Sequence, residues 1–162
     1  MTSILPELAP DLMFPVELML SRQRNGMPQH WILKTEPSDY SFADLERDRR
    51  TRWSGVSNPV ALKHLRSMAQ GDPVMIYHTG DEKRIVGLAR VAGAPYPDPD
   101  KGDERLTVVD VSADAALPTP VMLAAIKADP AFADLALVRQ GRLSVVPVPE
   151  PLWKRLLKMA GR

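Results

Sequence analysis

The chain contains no cysteine, which excludes a disulfide scaffold, a thiolate nucleophile and a cysteine-based zinc site. Its three histidines, His30, His64 and His78, are too scattered to form a metal-ligand spacing, so neither a metal nor a cofactor is expected. Charge of one sign is also lacking. Twenty-one Lys and Arg against twenty Asp and Glu leave a net charge of +1, which excludes the global basic field that holds proteins on duplex DNA non-specifically. Any nucleic-acid contact must be local. No apolar run approaches the length of a membrane span, and the first basic residues, Arg22 and Arg24, follow the N-terminal apolar segment where a signal peptide would carry them first. The expectation is a cytoplasmic protein without a membrane partner.

What is present is a globular balance: 162 residues, 44% hydrophobic and 25% charged, enough for one domain with its own core. Residues 1–29 differ from the rest. Pro6, Pro10, Pro15 and Pro28 sit among apolar residues that Asp11 and Glu17 interrupt, which reads as a poorly ordered extension. Met13, Met19 and Met27 are internal, so the native protein could begin as late as Met27. The domain proper is expected over residues 30–162.

His30 to Lys34 predicts a strand stopped by Glu36-Pro37. Ser41-Phe-Ala-Asp44 fits a capping box opening a helix to about Arg49, with Phe42 and Leu45 inward. Pro59 to Met68 predicts a second helix with Val60, Leu62, Leu65 and Met68 as its apolar stripe. Two strands follow, Pro73 to Thr79 and Ile85 to Val91, joined by a polar turn, with Gly87 a bulge or close-approach point. Pro95 to Asp100 predicts a loop, Arg105 to Ser112 a strand, and Thr119-Pro120 a helix start. Leu135 to Val148 reads as one or two strands around Gly141, and Pro149 to Ala160 as an amphipathic helix. Five or six short strands without regular β-α-β alternation point to an α+β fold, a mixed or antiparallel barrel with peripheral helices.

The stretch from Arg52 to Ala61 carries the clearest chemistry. Trp53 can stack on a flat group, Asn58 can read the edge of that group, and Gly55 lets the backbone approach closely. Asn58-Pro59 also matches a helix N-cap followed by proline at the first helical position. The same spacing serves a buried Trp53 and an Asn58 that merely caps. Trp31 and Trp153 fall on apolar faces and are assigned to the core. His78 reads either as a satisfied polar side chain or as a base, and Glu36 as either an ion-pair partner or a ligand contact. Lys34, Arg52, Lys63, Arg66, Arg84, Arg139 and Arg142 are the candidates for phosphate contacts.

Several motifs stand together in order: Trp-Ile-Leu-Lys-Thr-Glu-Pro at 31–37, Trp-Ser-Gly-Val-Ser-Asn at 53–58, Gly-Asp at 71–72 and Tyr77-His78. Ile-Val-Gly at 85–87, Tyr-Pro-Asp-Pro at 96–99 and Gly-Arg-Leu-Ser-Val at 141–145 complete the series. In that order the chain resembles the EVE domain family of the PUA-like superfamily, which also holds YTH and ASCH domains. The resemblance implies a five- to six-stranded pseudobarrel with helices around it. It also implies non-catalytic binding of modified nucleobases, chiefly methylated or oxidised cytosine in DNA, and bacterial members often accompany modification-dependent restriction systems. Carried over by position, the pocket would be lined by Lys34, Thr35, Glu36, Trp53, Ser54, Val56, Asn58, Tyr77, His78, Leu143 and Ser144. Two positions depart from the family pattern: Ser57 replaces a usual arginine, and Pro59 replaces an aromatic.

Such a reader must extract a base from its stack at a cost of a few kcal/mol. Stacking on Trp53 would return roughly 1–3 kcal/mol, whereas burying a base methyl group against Val56 or Leu143 adds only about 0.8 kcal/mol. Two other functions fit the sequence. One is a reader of modified RNA, with RNA-modification or restriction proteins as partners. The other is a nucleotide hydrolase using His78 and Glu36 as acid and base, although no paired carboxylates or nucleophile elbow accompany them.

Overall fold

The computed structural model describes residues 29–162; the expectations for residues 1–28 lie outside the described residues. β1 (His30–Thr35) is stopped by Glu36-Pro37 as the sequence predicts. α1 (Phe42–Asp48) opens on the capping box. Ser41 Oγ accepts from the Asp44 amide at 3.1 Å, and Asp44 Oδ2 accepts from the Ser41 amide at 2.9 Å. A cap of this kind contributes about 1 kcal/mol and fixes where the chain turns back under the sheet. β2 (Arg50–Trp53) leads through residues 54–57 into α2 (Pro59–Arg66), where Asn58 is the N-cap and Pro59 the first helical residue.

The apolar stripe of α2 differs from expectation at one position. Ala61, Leu62 and Leu65 are buried, whereas Val60 is 48% exposed. Ala61 lies one helical turn before Leu65 and takes the inward place, which leaves Val60 on the solvent side.

β3 (Pro73–His78) and β4 (Arg84–Val91) form the expected antiparallel pair. Gly87 serves both suggested purposes. The register shifts between Ile85 and Gly87, and a Cβ at Gly87 would fall on the Phe42 ring. Next come β5 (Tyr96–Pro97) and β6 (Thr107–Met122). The helix start expected at Thr119-Pro120 is instead inside β6. Ala116 pairs with Gly87 and Val121 with Ile85, so residues 117–120 bulge out of the ladder, where Pro118 and Pro120 need donate no hydrogen bond to it. α3 (Leu123–Ala128) begins only after that bulge.

Of the one or two strands expected over Leu135 to Val148, one is found, at its C-terminal end, and the earlier part is helical. After a 3₁₀ turn at Pro130–Phe132, α4 (Ala136–Arg139) precedes β7 (Val145–Val148), and α5 (Glu150–Met159) follows. Apolar runs this short carry no period that separates a helical turn from a strand.

The strands form one curled mixed sheet in the order β2-β6-β4-β3-β1-β7, with β5 alongside β6. It has seven strands rather than five or six. β1 and β3 are parallel, and the other pairs are antiparallel. With five helices packed around it, the fold is α+β and PUA-like. The interior face is traced by register from Trp31 to Val74, Ala89, Val91, Val111, Val109 and Trp53, each 8% exposed or less.

Candidate nucleic-acid interface

Successive side chains on a strand point to opposite faces, and this divides the pocket residues inferred from the resemblance into separate groups. Thr35 is the register partner of His78, and Lys34 of Tyr77. Thr35 and His78 therefore share one face with Trp31 and Trp53, while Lys34 and Tyr77 occupy the opposite face together with the fully buried Ile32 and Met75. This alternation divides the four between the two faces of the sheet.

On the interior side, the Thr35 hydroxyl donates to the Tyr40 carbonyl at 2.6 Å, and the Thr35 carbonyl accepts from the Thr79 amide at 2.9 Å. His78 is 7% exposed and both its ring nitrogens are engaged. Nε2 accepts from the Phe42 amide at 3.0 Å, which leaves the proton on Nδ1, 2.9 Å from Glu82 Oε1. The same oxygen accepts from Arg84 Nε at 3.1 Å. The bond from His78 holds the Glu82 carboxyl below its ordinary pKa, with the Arg84 contact adding to it. With Nε2 occupied by a backbone amide, His78 has no lone pair for proton transfer, and the acid–base role considered for it is not supported by this geometry.

Glu36 closes the turn after β1. Its Oε2 accepts from the Ser38 amide and the Ser38 hydroxyl, both at 2.9 Å, and these bonds lower its pKa. Its other carboxylate oxygen lies against Gly80, where a Cβ would collide with it. The turn residue Gly80, at φ +71°, is thus required both by conformation and by contact.

On the opposite face, Lys34 Nζ donates to the Gly141 carbonyl at 2.8 Å and lies 5.7 Å from the centroid of the Tyr77 ring. The Lys34 amide donates to the Ser144 carbonyl at 3.0 Å, tying the 140–144 turn to the end of β1. Leu143 is buried at 5% and belongs to the core, while Ser144 is half-buried.

The 53–58 segment forms the third group. Trp53 is 8% exposed and packs in the core, so it offers no open plane. Ser54 is exposed, Gly55 has φ +83°, and Val56 packs partly against the core. Asn58 is exposed; its Oδ1 accepts from the amides of Val60 at 2.9 Å and Ala61 at 3.1 Å. The capping half of the motif's double reading holds: Asn58 caps with its oxygen, and its side-chain N–H₂ makes no hydrogen bond among the described residues. The segment delivers α2 onto β7, next to the strand that carries Lys34. Among the described residues, no hydrogen bond or ion pair links residues 53–58 to the strand-end groups.

The candidate phosphate contacts also separate. Arg52 pairs with Asp100 at 2.7 Å, Arg84 with Glu82 at 3.1 Å and Arg139 with Asp134 at 3.0 Å. Arg66 reaches the Arg105 carbonyl at 3.3 Å and Thr107 Oγ1 at 3.4 Å. Lys63 and Arg142 are exposed and have no carboxylate partner among the described residues.

Sequence reasoning missed Asp72 as a residue with a definite task. It is 2% exposed, and its Oδ2 accepts from Trp31 Nε1 and from the Ala69 amide, each at 3.0 Å. A buried indole N–H needs an acceptor, and that requirement was the available signal linking Trp31 to the Gly71-Asp72 turn.

These features define a class: a small α+β domain on a curled mixed sheet, whose strand ends and Trp-to-Asn turn offer hydrogen-bonding and cationic groups. Among the described residues, no cluster of His, Asp or Glu could hold a metal ion, and no helix is long and apolar enough to cross a membrane. The EVE domain family model matches residues 29–159, and the chain belongs to that family. A Rhodopseudomonas palustris protein solved by NMR is 41% identical and superposes with a TM-score of 0.78, covering 82% of this chain and 93% of that one. The crystal structure of human THYN1 protein in complex with 5-methylcytosine-containing DNA superposes with a TM-score of 0.76 at 24% identity, covering 83% of this chain and 98% of that one. Thymocyte nuclear protein 1 of Gallus gallus is 33% identical over 88 residues. That match spans 47% of this chain and only 36% of the avian protein.

Proposed function

We propose that the domain binds nucleic acid without altering it, accommodating a flipped, modified nucleobase, most readily a methylated or oxidised cytosine in DNA, beside the 53–58 segment. The observation that carries this reading is the divided chemistry of Asn58. Its oxygen is fixed by two backbone amides, so its exposed N–H₂ is a donor held in place at a helix start, suited to an acceptor on a base edge. Trp53 is buried five residues before that donor, and Gly55, at φ +83° between them, would let a planar ligand approach the backbone. Support also comes from human THYN1, which shares this fold and was solved with 5-methylcytosine-containing DNA. A shared fold does not by itself carry a function over, which is why the residue-level argument is needed.

The test is a titration of the full chain with single- and double-stranded oligonucleotides, as DNA and as RNA, with plain or 5-methylated cytosine, at two salt concentrations. Asn58→Asp is the informative variant. Aspartate caps as well as asparagine, so stability is retained, but the outward donor becomes an acceptor. Binding should fall by about tenfold or more, the equivalent of one good base-edge contact. Unchanged affinity in a folded Asn58→Asp protein would remove the base slot from this segment. Preference for ribose over deoxyribose would move the ligand to RNA, and a change in oligonucleotide mass after incubation would show an enzyme.

A further inference from the structure

Tyr77 is 4% exposed, yet its hydroxyl has no hydrogen-bond partner among the described residues. Buried phenolic O–H groups almost always find an acceptor, and one left without a partner is a cost the empty protein carries. Lys34 stands opposite Tyr77 on the neighbouring strand and the same face, its ammonium 5.7 Å from the ring centroid. One of its N–H groups is used by the Gly141 carbonyl, and among the described residues no carboxylate pairs with it. A half-buried cation without a counter-charge and a buried donor without an acceptor thus border the same ring, under the 140–144 turn.

We propose that Lys34 and Tyr77 form a subsite for an oxyanion of the bound nucleotide: either a backbone phosphate or the carboxylate of an oxidised pyrimidine. An oxyanion supplies what both side chains lack. It accepts from the phenol and from the ammonium's remaining N–H groups, and charge-assisted bonds of this kind are stronger than neutral ones. Burial raises the Tyr77 pKa, so the phenol keeps its proton at neutral pH and acts as a donor. Burial lowers the Lys34 pKa, the direction expected of a cation held without a counter-ion. Because Thr35 and His78 point to the other face, this subsite is separate from the groups that brace α1. The inference rests on the nucleotide-binding reading above for the source of the oxyanion.

The experiment compares the full-length wild type with Tyr77→Phe and Lys34→Met. Each is titrated with oligonucleotides carrying 5-methylcytosine or 5-carboxylcytosine, and separately with dimethyl phosphate and with acetate, while tyrosine ring signals are followed by NMR. Tyr77→Phe should keep a Tm at or above that of wild type, because no hydrogen bond is lost. If the oxyanion is a backbone phosphate, Tyr77→Phe weakens both oligonucleotides alike and dimethyl phosphate shifts the Tyr77 signals of wild type. If it is the base carboxylate, only the 5-carboxylcytosine oligonucleotide weakens, and acetate produces the shift. Oligonucleotide binding unchanged in both folded variants, with no Tyr77 response to either small anion, overturns the proposal. If neither oligonucleotide binds wild type, the function proposed above fails. The subsite then stands on a Tyr77 response to dimethyl phosphate or acetate and falls without one.

Discussion

Trp53→Ala separates the two roles that the sequence allowed, a core side chain and a stacking plane. Trp53 is 8% exposed, belongs to the core, and faces the interior of the sheet opposite Val109, which is fully buried. Truncating a tryptophan in such a place removes its apolar burial and leaves a cavity between β2, β6 and the residues that lead into α2. The cost is about 3–5 kcal/mol. For a domain of this size that corresponds to a fall in Tm of roughly 10–20 °C. The assay is thermal or urea denaturation of the full chain, followed by oligonucleotide titration at a temperature where the variant remains folded. Trp53→Phe, which keeps a ring in the same place, should lose much less stability. The refuting result is a Tm within about 3 °C of wild type together with lost binding, since burial of this degree forbids so small a change. Trp53 would then act as a stacking plane for the ligand and not as a core side chain.

Two further predictions concern how the scaffold is held together. Burial lowers the pKa of both His30 and His64, in His30 against the opposing pull of Glu150 and Asp72. The unfolded chain then binds more protons than the folded one, so this part of the stability is complete above the unfolded value of about 6.5 and is lost as pH falls below it. Tm should therefore decline between pH 7 and pH 5, with a smaller decline in His30→Gln and in His64→Gln; a slope unchanged in both variants would refute the assignment. Gly87→Ala should cost about 1–3 kcal/mol in denaturant unfolding, because its Cβ falls on the Phe42 ring. Combining it with Phe42→Leu should cost less than the two single changes added together, and strict additivity would show that the ring and the glycine are not coupled.

Much of the scaffold was legible because local chemistry dictates it. The capping box at Ser41, the cap at Asn58, the stop at Glu36-Pro37 and the bulge at Gly87 are each set by a few neighbouring residues. The errors fall where partners are distant. Pro118 and Pro120 mark a helix start by local rules, but in β6 they occupy a bulge whose spare residues are fixed by pairing with β4 and whose Thr119 amide bonds to the Ala160 carbonyl at the chain's far end. Within Leu135 to Val148 the strand at its end was read correctly and the helical turn at 136–139 was not, because four helical residues and four strand residues are each shorter than the periods that distinguish them.

The site was legible as a set of residues but not as an arrangement, and the reason is the two-residue period of a strand. Lys34-Thr35 and Tyr77-His78 read as adjacent pairs, which suggests a common pocket, yet adjacency on a strand means opposite faces. The parallel pairing of β1 with β3 then regroups them across strands, Thr35 with His78 and Lys34 with Tyr77. The first pair is satisfied internally: hydroxyl to the Tyr40 carbonyl, ring nitrogens to the Phe42 amide and Glu82. The second pair is satisfied only in part: Lys34 donates to the Gly141 carbonyl, but among the described residues its ammonium pairs with no carboxylate and the Tyr77 phenol has no acceptor. A protein surface evolves few unpaired donors beside one another unless something outside the chain completes them. By that criterion the subsite proposed above falls on the face of β1 and β3 that carries Lys34 and Tyr77, while Thr35 and His78 are engaged within the frame.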